Sequence, residues 1–286
     1  MSSNMQHYYW AGGHGLMFFA GLRYLAAWAV FKSSGLTWWY RAAFAGALLS
    51  YFIVVKSVFL HYSPIMRSLL LLSSKSLGVP NGGAWARRAL ADENFQYFAL
   101  CIFWLISKPV GIAVVPFWTF STFHVATFTR TTILVKLFPP APGSGSNVTS
   151  SPLGKVIQSF VKKYYDPSMR LVAYVEIAIF ARVLFGLILR RNPLLMPICY
   201  GIFLRARYYQ SNFTREAFQQ LDKAILQGLS SPQVAGSVPQ AKGYYDNFKV
   251  YLNKAVGTTI LTPAAQPAPA AAAASGSSNT APAAAQ

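Results

Sequence analysis

Residues 95–130 read FQYFALCIFWLISKPVGIAVVPFWTFSTFHVATFTR. Between Phe95 and Phe128 the one charged side chain is Lys108, and Pro109 follows it at once. A helix rises about 1.5 Å per residue, so as a single helix this run would measure about 50 Å, against a hydrocarbon core of about 30 Å. It is too long for one upright crossing and too apolar for a water-facing surface. Pro109 removes a backbone donor and disfavours helix at Lys108, and Gly111 loosens the chain further. Lys108 can reach a headgroup from the tip of a bend. The pattern predicts one helix over 95–107, a tip at Lys108 and Pro109, and a return helix over 110–128. A hairpin and a kinked pair of helices inside a bundle both satisfy it.

The rest of the chain has the same character. Of 286 residues, 54% are hydrophobic and only 11% charged, where a soluble domain carries about 25% charged. Mean hydropathy is +0.35. The net charge of +18 comes from 25 Lys and Arg against 7 Asp and Glu. In a soluble protein that balance would point to nucleic acid. Here the bases flank apolar runs, which favours anionic lipid headgroups and argues against a nucleic-acid partner. Cys101 and Cys199 sit inside apolar runs, as buried thiols do. A cleavable signal peptide is not expected, because Arg23 interrupts the first apolar run and no base precedes it.

Six apolar stretches stand out: 16–31, 42–60, 95–107, 110–128, 171–189 and 194–204. The second, fourth and fifth approach the length of a crossing, whereas the first, third and sixth are too short to cross upright. Bases concentrate in the connections 61–94 and 130–168 and after the sixth stretch, at Arg205, Arg207 and Arg215. These read as cytosolic, with both termini on that side. Arg190 and Arg191 fall between the fifth and sixth stretches and oppose this assignment. The expected fold class is an all-α integral membrane protein, with helical hairpins in series and cytosolic amphipathic helices. The expected organisation is an N-terminal segment over 1–15 and a membrane region over 16–209 with a Pro/Gly/Ser linker at 139–152. Amphipathic helices follow over 210–257, then a disordered Ala/Pro-rich tail over 258–286.

Patterns that carry chemistry are scarce. No phosphate-binding glycine loop, hydrolase elbow or metalloprotease helix occurs, and His7, His14, His61 and His124 lack metal-ligand spacing. No catalytic residue, cofactor or metal is expected. Glu176 is the exception to weigh, because an acid within an apolar helix is costly. Arg182, six residues on, falls on the opposite side of that helix, so each is expected to find a partner elsewhere. A transporter using Glu176 and Arg182 is the alternative function. A lipid-modifying enzyme pairing His124 with Asp92 or Glu93 ranks last.

Two C-terminal segments are amphipathic. Over 213–227, Phe218, Leu221 and Ile225 share a face. Over 244–256, Tyr244, Phe248, Tyr251 and Leu252 form an aromatic-rich stripe, with Lys249 and Lys254 off it. Such a helix suits the interfacial plane of a bilayer, or packs on the protein's own membrane bundle.

Four stretches together resemble the transmembrane protein 33 family, also called the Krüppel homologue 2 family. They are WYRAAFAGALLSY at 39–51, ALADENFQYFALCIFWLISKPVGIAVVPFWTFSTFHVATFTR at 89–130, YVEIAIF at 174–180 and LLMPICYGIFLRARYYQSNFTREAFQQL at 194–221. Ala91-Asp92-Glu93, Tyr97, Pro109, Pro116, His124 and Thr127 fall where the family has like residues. The resemblance covers about 38–230 and leaves out the N-terminus, the linker and the tail. It implies a multi-pass protein of the endoplasmic reticulum and nuclear envelope, with roles in membrane shaping, tubule organisation and nuclear pore assembly or distribution. It implies partners among reticulon-type proteins, nucleoporins and nuclear transport receptors, and it carries no catalytic residues over.

Overall fold

The computed structural model describes residues 3–73, 90–138 and 151–257, with side chains for all of these except 3–4, 58–73, 235 and 251–257. Residues 139–150 of the expected linker and all of the expected 258–286 tail lie outside the described residues, as do Lys75, Arg87 and Arg88.

The described residues are helical, with no strand among them. The helices are α1 (Ser3–Ala29), α2 (Thr37–Ser73), α3 (Glu93–Ile106), α4 (Val114–Phe128), α5 (Pro152–Ile188), α6 (Leu195–Gln210), α7 (Asn212–Leu229), α8 (Pro232–Ser237) and α9 (Ala241–Gly257). A 3₁₀ turn, Gly111–Ala113, leads into α4. α4 runs on through a π-helical turn, Thr129–Ile133, to a last turn, Leu134–Leu137. Local chemistry sets the ends. Asp92 accepts from the Phe95 amide at 2.9 Å and caps α3. α3 stops at Ile106 because Ser107 is extended and Pro109 cannot continue a helix. Ser151 caps α5 and Pro152 fills its first turn, and Ser211 caps α7. Pro197, which interrupts the sixth apolar stretch, lies in the first turn of α6, where an amide has no helical partner anyway.

Two boundaries differ from expectation. The first helix begins at Ser3, so residues 3–15 of the expected N-terminal segment are helical and continuous with the stretch that starts at residue 16. At 27 residues the helix measures about 40 Å, but it is not among the helices that are apolar enough over a crossing length. Hydropathy misses its first half because Asn4, Gln6, His7 and His14 are polar residue types, whereas Gly13 and His14 are spent on packing. A Cβ on Gly13 would lie 2.6 Å from the Gly46 carbonyl, and one on Gly46 would lie 2.6 Å from that of Gly13. α1 and α2 therefore touch backbone to backbone, as small residues allow in membranes. His14 Nδ1 lies 3.0 Å from Ser121 Oγ on α4. The second difference is α5, which starts at Pro152 rather than 171 and takes in Lys155, Lys162, Lys163 and an internal Pro167.

The first six helices close into a ring in the order α3, α2, α1, α4, α5, α6. Aromatic contacts complete it between α6 and α3, Trp104 on Tyr200 and Tyr97 on Phe203. Tyr97 sits at the centre, its ring within 5.6 Å of those of Tyr51, Phe117, Phe120 and Phe203. Phe19, Phe52, Ile102, Phe185 and Ile202 point outward and are exposed, as lipid-facing residues would be. Three helical stretches are long and apolar enough to cross a membrane: Thr37–Ser57, Gly111–Leu137 and Pro152–Ile188. α3 and α6, at 14 and 16 residues, rise only about 21 and 24 Å.

Within the ring, the three short connections α1–α2, α3–α4 and α5–α6 gather at one end. Gly111 packs so closely on the Trp28 ring that a Cβ there would lie 2.4 Å from Nε1, and the Gly111–Ala113 turn also touches α5. α1 and α5 end in the same way. Lys32 N bonds Ala27 O and Phe31 N bonds Trp28 O; Arg191 N bonds Gly186 O and Arg190 N bonds Leu187 O. This double closure places one residue in the left-handed region, where glycine is usual. Here the residues are Phe31, at φ 58°, and Arg190, at φ 54°, each at a cost of about 1–2 kcal/mol.

Candidate functional site

The polar centre of the ring is built on Glu176. Its side chain is almost wholly buried, and Oε1 accepts from Tyr97 Oη at 2.7 Å. Oε2 faces Arg207 Nε of α6 at 3.5 Å, an ion pair not aligned as a hydrogen bond. Arg207 Nη1 reaches Glu93 Oε1 at 2.5 Å, and its guanidinium lies 5.5 Å from the centre of the Tyr97 ring. Gln210 and Gln96 donate to the Ala91 and Leu90 carbonyls at 2.7 and 2.8 Å. Three helices are thereby locked together, α3, α5 and α6, and the Ala91-Asp92-Glu93 stretch works as a cap and an anchor. Arg207 was read only as one of the cytosolic bases after the sixth stretch. It is instead buried, because Tyr200, Phe203 and Arg207 fall on one helical face that turns inward.

Arg182 does not join this cluster. It is exposed on the outside of α5. The space beside Glu176, between Trp104, Phe117, Tyr200 and Phe203, is too small for a water molecule. Glu176 and Arg182 therefore do not share a cavity there: Glu176 faces the packed interior of the ring and Arg182 the outside of α5.

The histidines, which look scattered along the chain, partly converge. His14 and His124 lie 4.3 Å apart by ring centre, Trp10 meets both edge-on, and His7 stacks on Trp10. No group of three potential ligands suited to a metal occurs among the described residues. The pairing of His124 with Asp92 or Glu93 is not formed: His124 packs on His14 and Trp10, Asp92 caps α3, and Glu93 holds Arg207.

Lys108 and Pro109 are both exposed, at the bend between α3 and the 3₁₀ turn. On α7, Thr214 and Ala217 form the buried face and the helix packs on α5. Phe218 is half-buried against Tyr208, Ile225 is half-buried and Leu221 is exposed. α9 docks on α7 by its polar side. Asp222 accepts from Tyr245 Oη at 2.8 Å and from Lys249 Nζ at 2.9 Å. Those bonds hold the Asp222 carboxyl below the usual carboxylate range, while desolvation and then Asp222 push the Tyr245 hydroxyl up to about 12. Lys249, expected as a base beside the aromatic stripe, is thus tied to α7. Tyr244 and Phe248 point away and are 66% and 56% exposed. The side chains of Tyr251, Leu252 and Lys254 lie outside the described residues.

Comparison with known proteins gives a consistent answer. Residues 1–244 match the family described as transmembrane protein 33/nucleoporin POM33. The match takes in the N-terminus and the 139–152 linker, which the sequence resemblance had left outside. Nucleoporin POM33 of Chaetomium thermophilum is 33% identical, over 91% of this chain and 89% of that protein. Tetra-spanning protein 1 of Schizosaccharomyces pombe is 27% identical, over 90% and 87%. The pore membrane protein of 33 kDa of Saccharomyces cerevisiae is 27% identical, over 85% and 81%. No solved structure matches. The chain is an all-α membrane protein and belongs to the transmembrane protein 33/nucleoporin POM33 family.

Proposed function

We propose that this chain is a non-enzymatic scaffold of the endoplasmic reticulum and nuclear envelope that shapes the membrane. In this reading it contributes to tubule organisation and to the assembly or distribution of nuclear pore complexes. One observation carries the reading: the two ends of the bundle carry unequal amounts of helix. At one end the helices are joined by three short turns. At the other, α2 runs past Ser57 to Ser73, α4 continues to Leu137, α5 carries the basic stretch 152–170, and α7 packs alongside. A body broad in one leaflet and narrow in the other favours curvature toward its broad side. We assign the helix-rich end to the cytosol, with both chain termini, because most of the bases cluster there. Each base near an anionic surface adds about 1 kcal/mol of attraction.

The names of the relatives, a nucleoporin and a pore membrane protein, support a place at the pore rim, where membrane is strongly curved. Nucleoporins, reticulon-type proteins and a nuclear transport receptor are the partners this reading nominates. The exposed Tyr244–Phe248 face is the surface we assign to lipid or to one of them. The reading is tested with the purified chain in liposomes, imaged across a range of protein densities. Tubules or small high-curvature vesicles at high density are expected, and unchanged spheres at the highest density would refute it.

A further inference from the structure

The end of the bundle that carries the short turns has a charge pattern that membrane shaping does not require. Lys32, Arg41, Lys108, Arg182, Arg190 and Arg191 are all exposed there, and none of the chain's seven acids lies at that end. Around them stand large exposed apolar residues: Phe31 at 96% exposure, Trp38 at 75%, Ile106 at 74% and Ile188 at 68%. On the topology proposed above, which places this end in the lumen, a basic cluster here also runs against the charge bias that orients membrane helices. Bases set beside large apolar side chains at a membrane boundary are placed where lipid headgroups lie.

The backbone supplies a second, independent observation. Phe31 and Arg190 occupy the left-handed closing position of α1 and α5, where glycine would be free of strain. Neither side chain is packed in a way that demands it, since both are exposed. Each is followed by a base, Lys32 and Arg191. Two turns of unrelated sequence therefore present a strained, bulky residue and then a cation at the same end of the fold. Backbone strain of this kind clusters at functional sites.

We propose that the turn end is a binding surface for anionic phospholipid headgroups, with Lys32, Lys108, Arg190 and Arg191 meeting phosphate and carboxylate oxygens while Phe31 and Trp38 enter the acyl boundary. A lipid satisfies both halves of this surface. A free phosphate would answer the bases but leave the apolar collar in water, and an acidic peptide would have to reach side chains at the level of the hydrocarbon edge. Arg190 and Arg191 offer planar donor forks suited to phosphate, and Lys32 and Lys108 reach from flexible stems. The site stands whether or not the protein bends membranes.

The test uses the full chain in vesicles, with a fluorophore on Gly35→Cys in a Cys199→Ala background. Gly35 lies in the α1–α2 turn with open space about it. Phosphatidylcholine vesicles carry a minority of headgroup quencher, either on phosphatidylserine or on phosphatidylcholine. The proposal predicts at least about twofold stronger quenching by the anionic probe, falling to parity in the Lys32→Gln/Lys108→Gln/Arg190→Gln/Arg191→Gln variant. Arg190→Gly alone should lower the ratio while leaving the thermal midpoint unchanged or raised, because it relieves the backbone as it removes the base. A charge-conserving Arg190→Lys/Arg191→Lys variant should keep the preference. Excess inorganic phosphate should leave the ratio unaltered; its loss would mean a soluble-phosphate site and would overturn the lipid assignment. Parity in the parent protein, or an undiminished ratio after the four neutralisations or in Arg190→Gly, would overturn it equally.

Discussion

Glu176 and Asp222 are held by the same chemistry in two different places. Each carboxylate accepts from a tyrosine hydroxyl, Tyr97 at 2.7 Å and Tyr245 at 2.8 Å, and each faces one base, Arg207 and Lys249. The surroundings differ. The Glu176 side chain is 1% exposed and that of Arg207 8%, whereas Asp222 and Lys249 are each 35% exposed. Inside the ring, a carboxylate cannot trade its partners for water, so losing one partner strands a charge. On the α7–α9 surface, water replaces a lost partner at once and screens the pair. The inner set therefore fixes how α3, α5 and α6 sit together, and the outer set only decides whether α9 lies on α7. The fold has a rigid membrane body and an adjustable appendage, divided by solvent access rather than by the kind of bond.

That contrast is open to breakage in order of effect. Arg207→Met should be the most damaging change, because it leaves both Glu176 and Glu93 without their cation. Buried pairs broken in this way cost about 3–5 kcal/mol, which should appear as a steep fall in thermal stability in detergent. Glu176→Gln in that background should restore part of the loss, since the stranded charge is then gone. Tyr97→Phe should come next, at about 1–3 kcal/mol for an acceptor left short of a partner. The matching change, Tyr245→Phe, should leave the thermal midpoint of the bundle unmoved and raise only the hydrogen-exchange rate of α9. Equal effects from the two tyrosines would mean that burial is not what separates the sites.

Much of this was legible beforehand, for reasons that particular residues make plain. The break between α3 and α4 was readable because Pro109 acts locally, through its missing amide. Glu176 stood out as an acid in an apolar run. Its partner did not, because Arg207 lies in LRARYYQ and reads as one more flanking base. A usable signal was there: Tyr200, Phe203 and Arg207 share a helical face with the apolar stripe, so the arginine had to point inward. The first half of α1 was hidden for another reason. Asn4, Gln6, His7 and His14 keep it from reading as an apolar run, and the partners of Gly13 and His14, Gly46 and Ser121, come from distant parts of the chain. The docking side of α9 shows the same limit. Tyr245 and Lys249 are four residues apart on one face, but only the fold brings Asp222 to them.

The smallest expected effect is on pH dependence, and it belongs to the outer set. The Asp222 carboxyl is held below its ordinary value of 3.8, so its contribution is complete above that value and lost as pH falls through the lowered one. The Tyr245 hydroxyl is raised from 10.0 to about 12, so its contribution is complete below 10.0 and lost as pH rises toward about 12. Hydrogen exchange of the α9 amides, corrected for intrinsic rates, should therefore show constant protection between about pH 4 and pH 10 and loosen outside that window. Asp222→Asn should remove the acid-side step. A step that survives in this variant would show that another group governs the docking of α9.

The central claim is that a bundle with more helix at one end than at the other senses and favours curved membrane. It is tested most directly by pulling a thin membrane tube from a giant vesicle that contains the fluorescent full-length protein. The cytosolic side must face outward, and protein density relative to a lipid dye is then compared between tube and vesicle. The account predicts enrichment on the tube that grows as the tube is narrowed, and that persists in Tyr245→Phe, whose membrane body is intact. Equal density on tube and vesicle at every radius would contradict it.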